Sequence, residues 1–358
     1  MGRENGFTAL RLIAAVLVIF THPYVLGANI ADPVQAATGL LPASTVGVDL
    51  FFVVSGYLIS GSLRRSASFG DYLRNRALRI LPALFVLCAV TVFVIGPLAT
   101  TSDSYFRESE TYAYFRNALV YAWQPFLPGV FETNTTPVVN GSLWTLPIEA
   151  TCYGFLLVMA WCGCFNWRGA LVLMLMCYAL VVSQAFPFGQ ILFHYEGGME
   201  LRNLSRFTAL FAGGALIKLI DRPWTVSPAV TLLAGLGVAA ALAAGQIDWR
   251  WFPAIYLLAW PWLVIGLAAR LSAFSALDRV DISYGLYLYA FPIQQLLVQV
   301  NGGAMDPITL FLISAAVTTI LALASWFLIE RPAMRLKAGG AAFRQHRSFD
   351  GHVAGRLR

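Results

Sequence analysis

Charge is what this sequence has least of. Asp, Glu, Lys and Arg together make up 12% of the 358 residues, against about 25% in soluble domains, and that deficit excludes an ordinary water-soluble globular protein. Histidine is rarer still, at four residues, so any imidazole chemistry rests on few positions. The five cysteines, Cys88, Cys152, Cys162, Cys164 and Cys177, all fall in apolar runs. A disulfide framework is therefore not expected, Cys162-Gly163-Cys164 lacks the companion ligands of a zinc site, and the five read as small packing residues with no metal implied. The alternating strands of about ten residues that build a membrane barrel are missing, as is any repeat of about 20 to 50 residues. The formal charge of +6 does not point to nucleic acid, because the basic residues sit in short clusters between apolar runs, as membrane topology demands.

What is present is hydrophobic length. Residues of hydrophobic type make up 58% of the chain, and they recur in runs of about 20, enough to cross a hydrocarbon core of about 30 Å. The pattern predicts an all-α polytopic membrane protein with about ten transmembrane helices, at 7–26, 44–63, 78–98, 142–164, 169–187, 204–220, 226–245, 251–269, 280–300 and 307–330. With the N-terminus inside, 19 basic residues fall on the cytoplasmic side and five (Arg107, Arg116, Arg202, Arg206 and Arg250) outside, so both termini are placed in the cytoplasm. The first span reads as a retained helix rather than a cleaved leader, since it carries Arg11 and His22. One membrane domain, 1–337, is followed by a short basic cytoplasmic tail, 338–358. The segment 99–141 is the largest external one and is rich in aromatics, with an interfacial helix expected around 110–123; it reads either as an aromatic belt at the headgroups or as a platform for sugar rings.

Several polar residues sit where a bilayer should not tolerate them. Arg11 and His22 are eleven residues apart, which puts them on one helix face with a rise of about 16 Å between them. Arg11 either snorkels or meets a counter-charge. His22, followed by Pro23, lies near the outer end of its helix and is the best available general base; the alternative is a structural hydrogen bond to a neighbouring helix. Asp49, in Gly47-Val48-Asp49-Leu50-Phe51-Phe52, falls at about the same depth, where it either orients the imidazole or favours a helix N-terminus. Ser55-Gly56 reads as a helix-packing surface rather than a nucleophile. Arg74, Arg76 and Arg79 cluster at the cytoplasmic mouth and suit phosphate recognition through their planar forks, with topology as the alternative account. Glu149 lies about two turns inside the fourth span.

Taken in order, these stretches resemble the membrane acyltransferase family 3. The resemblance rests on Arg-x10-His (Arg11, His22), Gly-Val-Asp-Leu-Phe-Phe-Val-Val-Ser-Gly-Tyr-Leu from Gly47, Arg76-x2-Arg79-Ile80-x-Pro82, Ser-Leu-Trp-Thr-Leu-Pro-Ile-Glu from Ser142, Ser-Tyr-Gly-Leu-Tyr-Leu at 283–288, and Glu330-Arg331-Pro332. The family often carries a histidine two residues before the proline of the ninth span, where this chain has Ala290. The mechanism that the resemblance implies is therefore one built on a single histidine, His22.

The resemblance implies an integral membrane O-acyltransferase of the bacterial cytoplasmic (inner) membrane, moving acetyl from cytoplasmic acetyl-CoA, as co-substrate, to a hydroxyl of an exopolysaccharide, O-antigen or lipo-oligosaccharide sugar. It looks like the stand-alone type without an appended hydrolase-like domain. In that scheme His22 deprotonates the acceptor hydroxyl, Asp49 or Glu149 orients it, Arg11 stabilises donor or oxyanion charge, and Arg74, Arg76 and Arg79 hold the nucleotide phosphates. Trp144, Tyr57 and Tyr284 are the expected substrate contacts, the acceptor being a surface glycan or lipid-linked oligosaccharide. An acyl-histidine intermediate is the other chemical route. A glycolipid or small-molecule transporter would also place Arg, His and acids in the membrane, but it predicts paired broken helices in two halves, which the sequence does not show. A non-catalytic assembly or sensor protein predicts that His22 is dispensable.

Overall fold

The computed structural model describes residues 6–184, 200–271 and 280–336. The tail 338–358 and Arg279 lie outside them. Among the described residues the regular structure is helical, with one isolated antiparallel bridge, Thr100 to Val130. Helices occupy every position at which an apolar run predicts one: α1 (Phe7–Ala28), the short α2 (Pro33–Thr38), α3 (Ala43–Arg65), α4 (Phe69–Val90), α5 (Gly96–Ala99), α6 (Ser109–Ala113), α7 (Leu146–Trp161), α8 (Trp167–Val182), α9 (Leu201–Ile220), α10 (Pro228–Ile247), α11 (Trp251–Arg270), α12 (Ser283–Val300) and α13 (Pro307–Ser325). A π-turn at Thr91–Ile95 joins α4 to α5, and another at Trp326–Glu330 extends α13.

The helix starts follow local chemistry. Side chains of Ser68, Asn166, Ser227 and Asp306 accept backbone N–H groups at the first turns of α4, α8, α10 and α13, satisfying donors that no earlier residue can reach. At Asp306, the Thr309 amide and hydroxyl hold the carboxyl below its ordinary range.

Seven helices among the described residues are long and apolar enough to cross a membrane. Of the others, α8 is short, while α9 and α12 are more polar: α9 carries Arg202, Arg206 and Lys218, and α12 carries Gln294 and Gln295, both fully buried. These two helices lie inside the bundle, against α3 and α8 and against α1 and α13 respectively. Their polar groups therefore meet protein instead of hydrocarbon.

Close approach needs small residues. A Cβ on Gly56 of α3 would collide with the Phe211 carbonyl of α9, and one on Gly214 of α9 with the Val53 carbonyl of α3. Gly56 is thus the packing residue that the sequence suggested, while its neighbour Ser55 donates to Glu149.

The segment 99–141 is folded rather than open. Tyr105, Tyr114 and Phe131 are buried in a core shared with Cys88 and Val92 at the α4 end. Its helix is shorter than the expected 110–123: α6 runs into a 3-10 turn at Tyr114–Leu119, and Val120, at φ +69°, ends it. Released from the helix, Trp123 donates Nε1 to the Asn140 carbonyl at 3.3 Å. The five cysteines are free thiols; Cys88 and Cys152 are buried, but Cys162 and Cys164 are exposed at the α7–α8 turn, so these two are not the packing residues expected of them.

Candidate active site

Two cavities meet between α1, α3, α7, α9 and α12. The first, about 890 Å³ including its open mouth, is lined by Arg11, Arg76, Arg79, Ser55, Glu149 and Tyr284, among others. The second, about 590 Å³, is lined by His22, Ser44, Thr45, Trp144, Asn203 and Arg206. Val48 and Tyr287 line both, so the cavities adjoin at these residues. Tyr287 is held there by its hydroxyl, which bonds the Ser142 carbonyl and the Thr145 hydroxyl at 2.6 Å each.

In the first cavity the arginines have counter-charges. Arg79 of α4 donates to Asp281 at 2.7 Å and to Glu330 at 3.1 Å, and Arg11 of α1 reaches the same Asp281 oxygen at 3.1 Å. Glu330 is placed by the π-turn that ends at it, a feature common at functional positions. Tyr284 packs over the Arg79 guanidinium at 5.8 Å and donates to the Ile80 carbonyl at 3.1 Å. Arg76 contacts the Ser62 hydroxyl at 3.4 Å, and its Nε is buried without a hydrogen-bond partner. Arg74 points away from the cavity, to the Leu336 carbonyl. The three arginines of the mouth are therefore not one phosphate cluster. One is bound in an ionic network, one is outside, and one keeps an uncommitted donor. Glu149 accepts from Ser55 at 3.2 Å and from the Tyr153 hydroxyl.

His22 stands apart from that network. It lines the second cavity and a further one with Thr21, Gln35, Trp123, Val138 and Phe291, so residues of the segment 99–141 share a cavity with the histidine. The imidazole meets the Phe291 ring edge to face at 4.9 Å, and Phe291 is backed by Gly141, where a Cβ would come within 2.6 Å of the ring. Asp49 is not its hydrogen-bond partner. That carboxylate is fully buried and takes Arg206 and, at 2.9 Å, the Tyr256 hydroxyl. Trp144 faces the second cavity beside Phe207, with ring centroids 5.8 Å apart. Tyr57 stacks on Phe7 at 5.1 Å, with the Lys218 ammonium 5.1 Å from its ring, in the core outside both cavities.

The structure thus brings Arg11, Arg76, Arg79, Glu149 and Tyr284 to one chamber and His22 and Trp144 to the next, and leaves Asp49, Arg74 and Tyr57 outside both linings. Sequence reasoning missed Asp281, Arg206 and Gln294, and took Glu330 only as part of a motif. An acid opening an apolar run was the available signal for Asp281; Arg206 looked like one of the five outer basic residues.

A basic chamber joined to a histidine chamber suits group transfer, and comparison with known proteins agrees. The model of the acyltransferase domain family matches residues 4–327. The chain belongs to membrane acyltransferase family 3. It is 30% identical to the O-acetyl transferase of Shigella phage Sf6, over 92% of this chain and 96% of that protein. Similarity to Nodulation protein 10 of Rhizobium leguminosarum bv. viciae is 31% identity over 96% of each chain. No solved structure matches the chain. The acyltransferase is therefore a membrane-embedded enzyme whose chemistry must be read from its own two chambers.

Proposed function

We propose that the acyltransferase moves acetyl from cytoplasmic acetyl-CoA to a sugar hydroxyl of a surface glycan, exopolysaccharide, O-antigen or lipo-oligosaccharide, in the bacterial cytoplasmic membrane. The observation that carries this reading is the shared lining of Val48 and Tyr287, which sets a chamber of arginines directly against a chamber containing His22. The name of the phage relative supports the acetyl group.

Ten spans with both termini in the cytoplasm put the arginine chamber towards the donor and His22 towards the acceptor. The buried Nε of Arg76, which has no partner, offers a charge-assisted hydrogen bond to a phosphate oxygen. Arg11 and Arg79, already balanced by Asp281 and Glu330, form a rigid, nearly neutral throat along which the pantetheine arm lies. The rise of about 16 Å from Arg11 to His22 matches the reach of that arm, so one extended donor spans both chambers.

The acceptor enters the second chamber, where Trp144 gives an apolar face to a sugar ring and Asn203, Ser44 and Thr45 give polar edges. His22 removes the proton of the acceptor hydroxyl as its oxygen attacks the thioester carbonyl. The C–S bond then breaks, the coenzyme A thiolate leaves, and the imidazolium returns the proton to it, leaving an O-acetyl ester and the free thiol.

Purified protein in proteoliposomes, given acetyl-labelled coenzyme A and the host's isolated glycan, should transfer label to the glycan. Labelled glycan from wild type but not from His22→Ala supports the reading, and equal transfer from both overturns it.

A further inference from the structure

We propose that Gln294 is the residue that positions His22, holding it as the tautomer with the proton on Nδ1. The inference rests on His22 being the base, and it starts from Pro23. Proline has no N–H, so the Ile19 carbonyl, four residues earlier in α1, loses its helical partner. Gln294 of α12 supplies the replacement: its Nε2 donates to the Ile19 carbonyl at 2.9 Å and to the Ser314 hydroxyl of α13 at 3.2 Å. The same device is used once more nearby, where Pro292 frees the Leu288 carbonyl and Asn140 donates to it at 2.9 Å. Two prolines thus convert two helix ladders into sockets for side-chain amides.

The Ile19 carbonyl decides which way the Gln294 amide faces, since only its NH2 end can approach a carbonyl oxygen. Its Oε1 is thereby turned elsewhere. Gln294 is fully buried, and Oε1 has no hydrogen-bond partner. Nδ1 of His22 is likewise buried without a partner, and the two side chains lie side by side. Phe291, one turn before Gln294 on the same helix, holds the imidazole from its edge. A buried acceptor and a buried ring nitrogen, each otherwise orphaned and each costly to leave so, complete one another through Nδ1–H donating to Oε1.

The neighbouring acids and Tyr287 have partners of their own. Asp49 holds Arg206 and Tyr256 through Oδ2, and its Oδ1 is buried without a partner. Asp32 accepts from Thr21 at 3.0 Å and from the amides of Val34, Gln35 and Ala43. The Tyr287 hydroxyl is bound to Ser142 and Thr145. With Nδ1 protonated, the lone pair on Nε2 is the one that takes the acceptor proton. A neutral amide in this role fixes the tautomer as a carboxylate does, without adding a charge that would hold the proton on the imidazolium after transfer.

The test is nitrogen NMR of protein carrying 15N-labelled histidine in lipid, where the four histidines keep the spectrum simple and His22→Ala assigns the resonance. Wild-type His22 should show a protonated Nδ1 and an unprotonated Nε2, and Gln294→Met, of nearly the same length, should mix the tautomers. The same variant should lose about 10- to 100-fold in kcat with KM for donor and glycan unchanged. A protonated Nε2 in the wild type overturns the proposal on its own, even if the variant fails to accumulate; so does an unchanged tautomer in Gln294→Met. If the Nδ1–H tautomer is found but His22→Ala still transfers acetyl, the assignment of the base fails and the positioning by Gln294 stands.

Discussion

Arg79 donates to Asp281 at 2.7 Å, and because Arg11 uses the same carboxylate oxygen, one acid ties α1 to α4 at the start of α12. Both partners are largely buried, at 17% and 9% side-chain exposure. Removing one charge from such a site leaves the others uncompensated, which costs about 3 to 5 kcal/mol. Asp281→Asn should therefore lower the melting temperature in detergent, followed by loss of the monodisperse size-exclusion peak on heating. An unshifted melt would show that solvent compensates the arginines.

His22→Ala should insert and accumulate normally while transfer falls by about 100- to 10,000-fold, the usual worth of a general base. Glycan acetylation at the wild-type rate in that variant would remove His22 from the mechanism.

Arginines 76 and 79 should respond differently to lysine. Arg76→Lys keeps the charge but loses the buried Nε donor, so KM for acetyl-CoA should rise by about tenfold, the worth of one lost charge-assisted hydrogen bond. Arg79→Lys cannot bridge Asp281 and Glu330 with two separate nitrogens and should appear as lost stability instead. Titration of donor binding beside a thermal melt separates the two, and identical behaviour would contradict the division of roles.

Gly56→Val should disrupt the α3–α9 crossing, because its side chain meets backbone that has no room to move. Overpacking of this kind costs about 1 to 3 kcal/mol or more. The melt of Gly56→Val should fall well below that of Gly154→Val, where a Cβ meets nothing within 4 Å.

Leu119, 70% exposed in the segment 99–141, offers a test of orientation. Leu119→Cys, with Cys162 and Cys164 changed to serine, should react with an impermeant thiol reagent from outside intact cells. With the native Cys162 and Cys164 restored and Leu119 unchanged, labelling should require permeabilisation. The reverse pattern would invert the topology and the direction of acyl flow.

That helices fill the apolar runs was legible in the sequence, because a membrane helix satisfies its own backbone and needs only a sufficiently long apolar run; that only seven of the described ones are long and apolar enough to cross was not. So were His22, Arg11 and Glu149 as residues needing a reason, since an ionisable group in such a run is costly wherever it points. Partnership was not legible. Asp49 and His22 fall at similar depths on separate helices, yet depth says nothing about rotation, and the turn of α3 sends Asp49 to Arg206 and Tyr256. The triplet Arg74, Arg76 and Arg79 reads as one cluster along the chain, but a helix advances 100° per residue and distributes the three to Leu336, Ser62 and Asp281. Asp281 and Glu330 lie 202 and 251 residues from Arg79, and Gln294 lies 275 from Ile19. Composition determined that the chain crosses a membrane and which side chains cannot face lipid; only the packing of α1, α4, α12 and α13 decided which of those groups face one another, because hydrogen bonds and ion pairs act over about 3 Å and no local pattern encodes a contact that long-range packing alone creates.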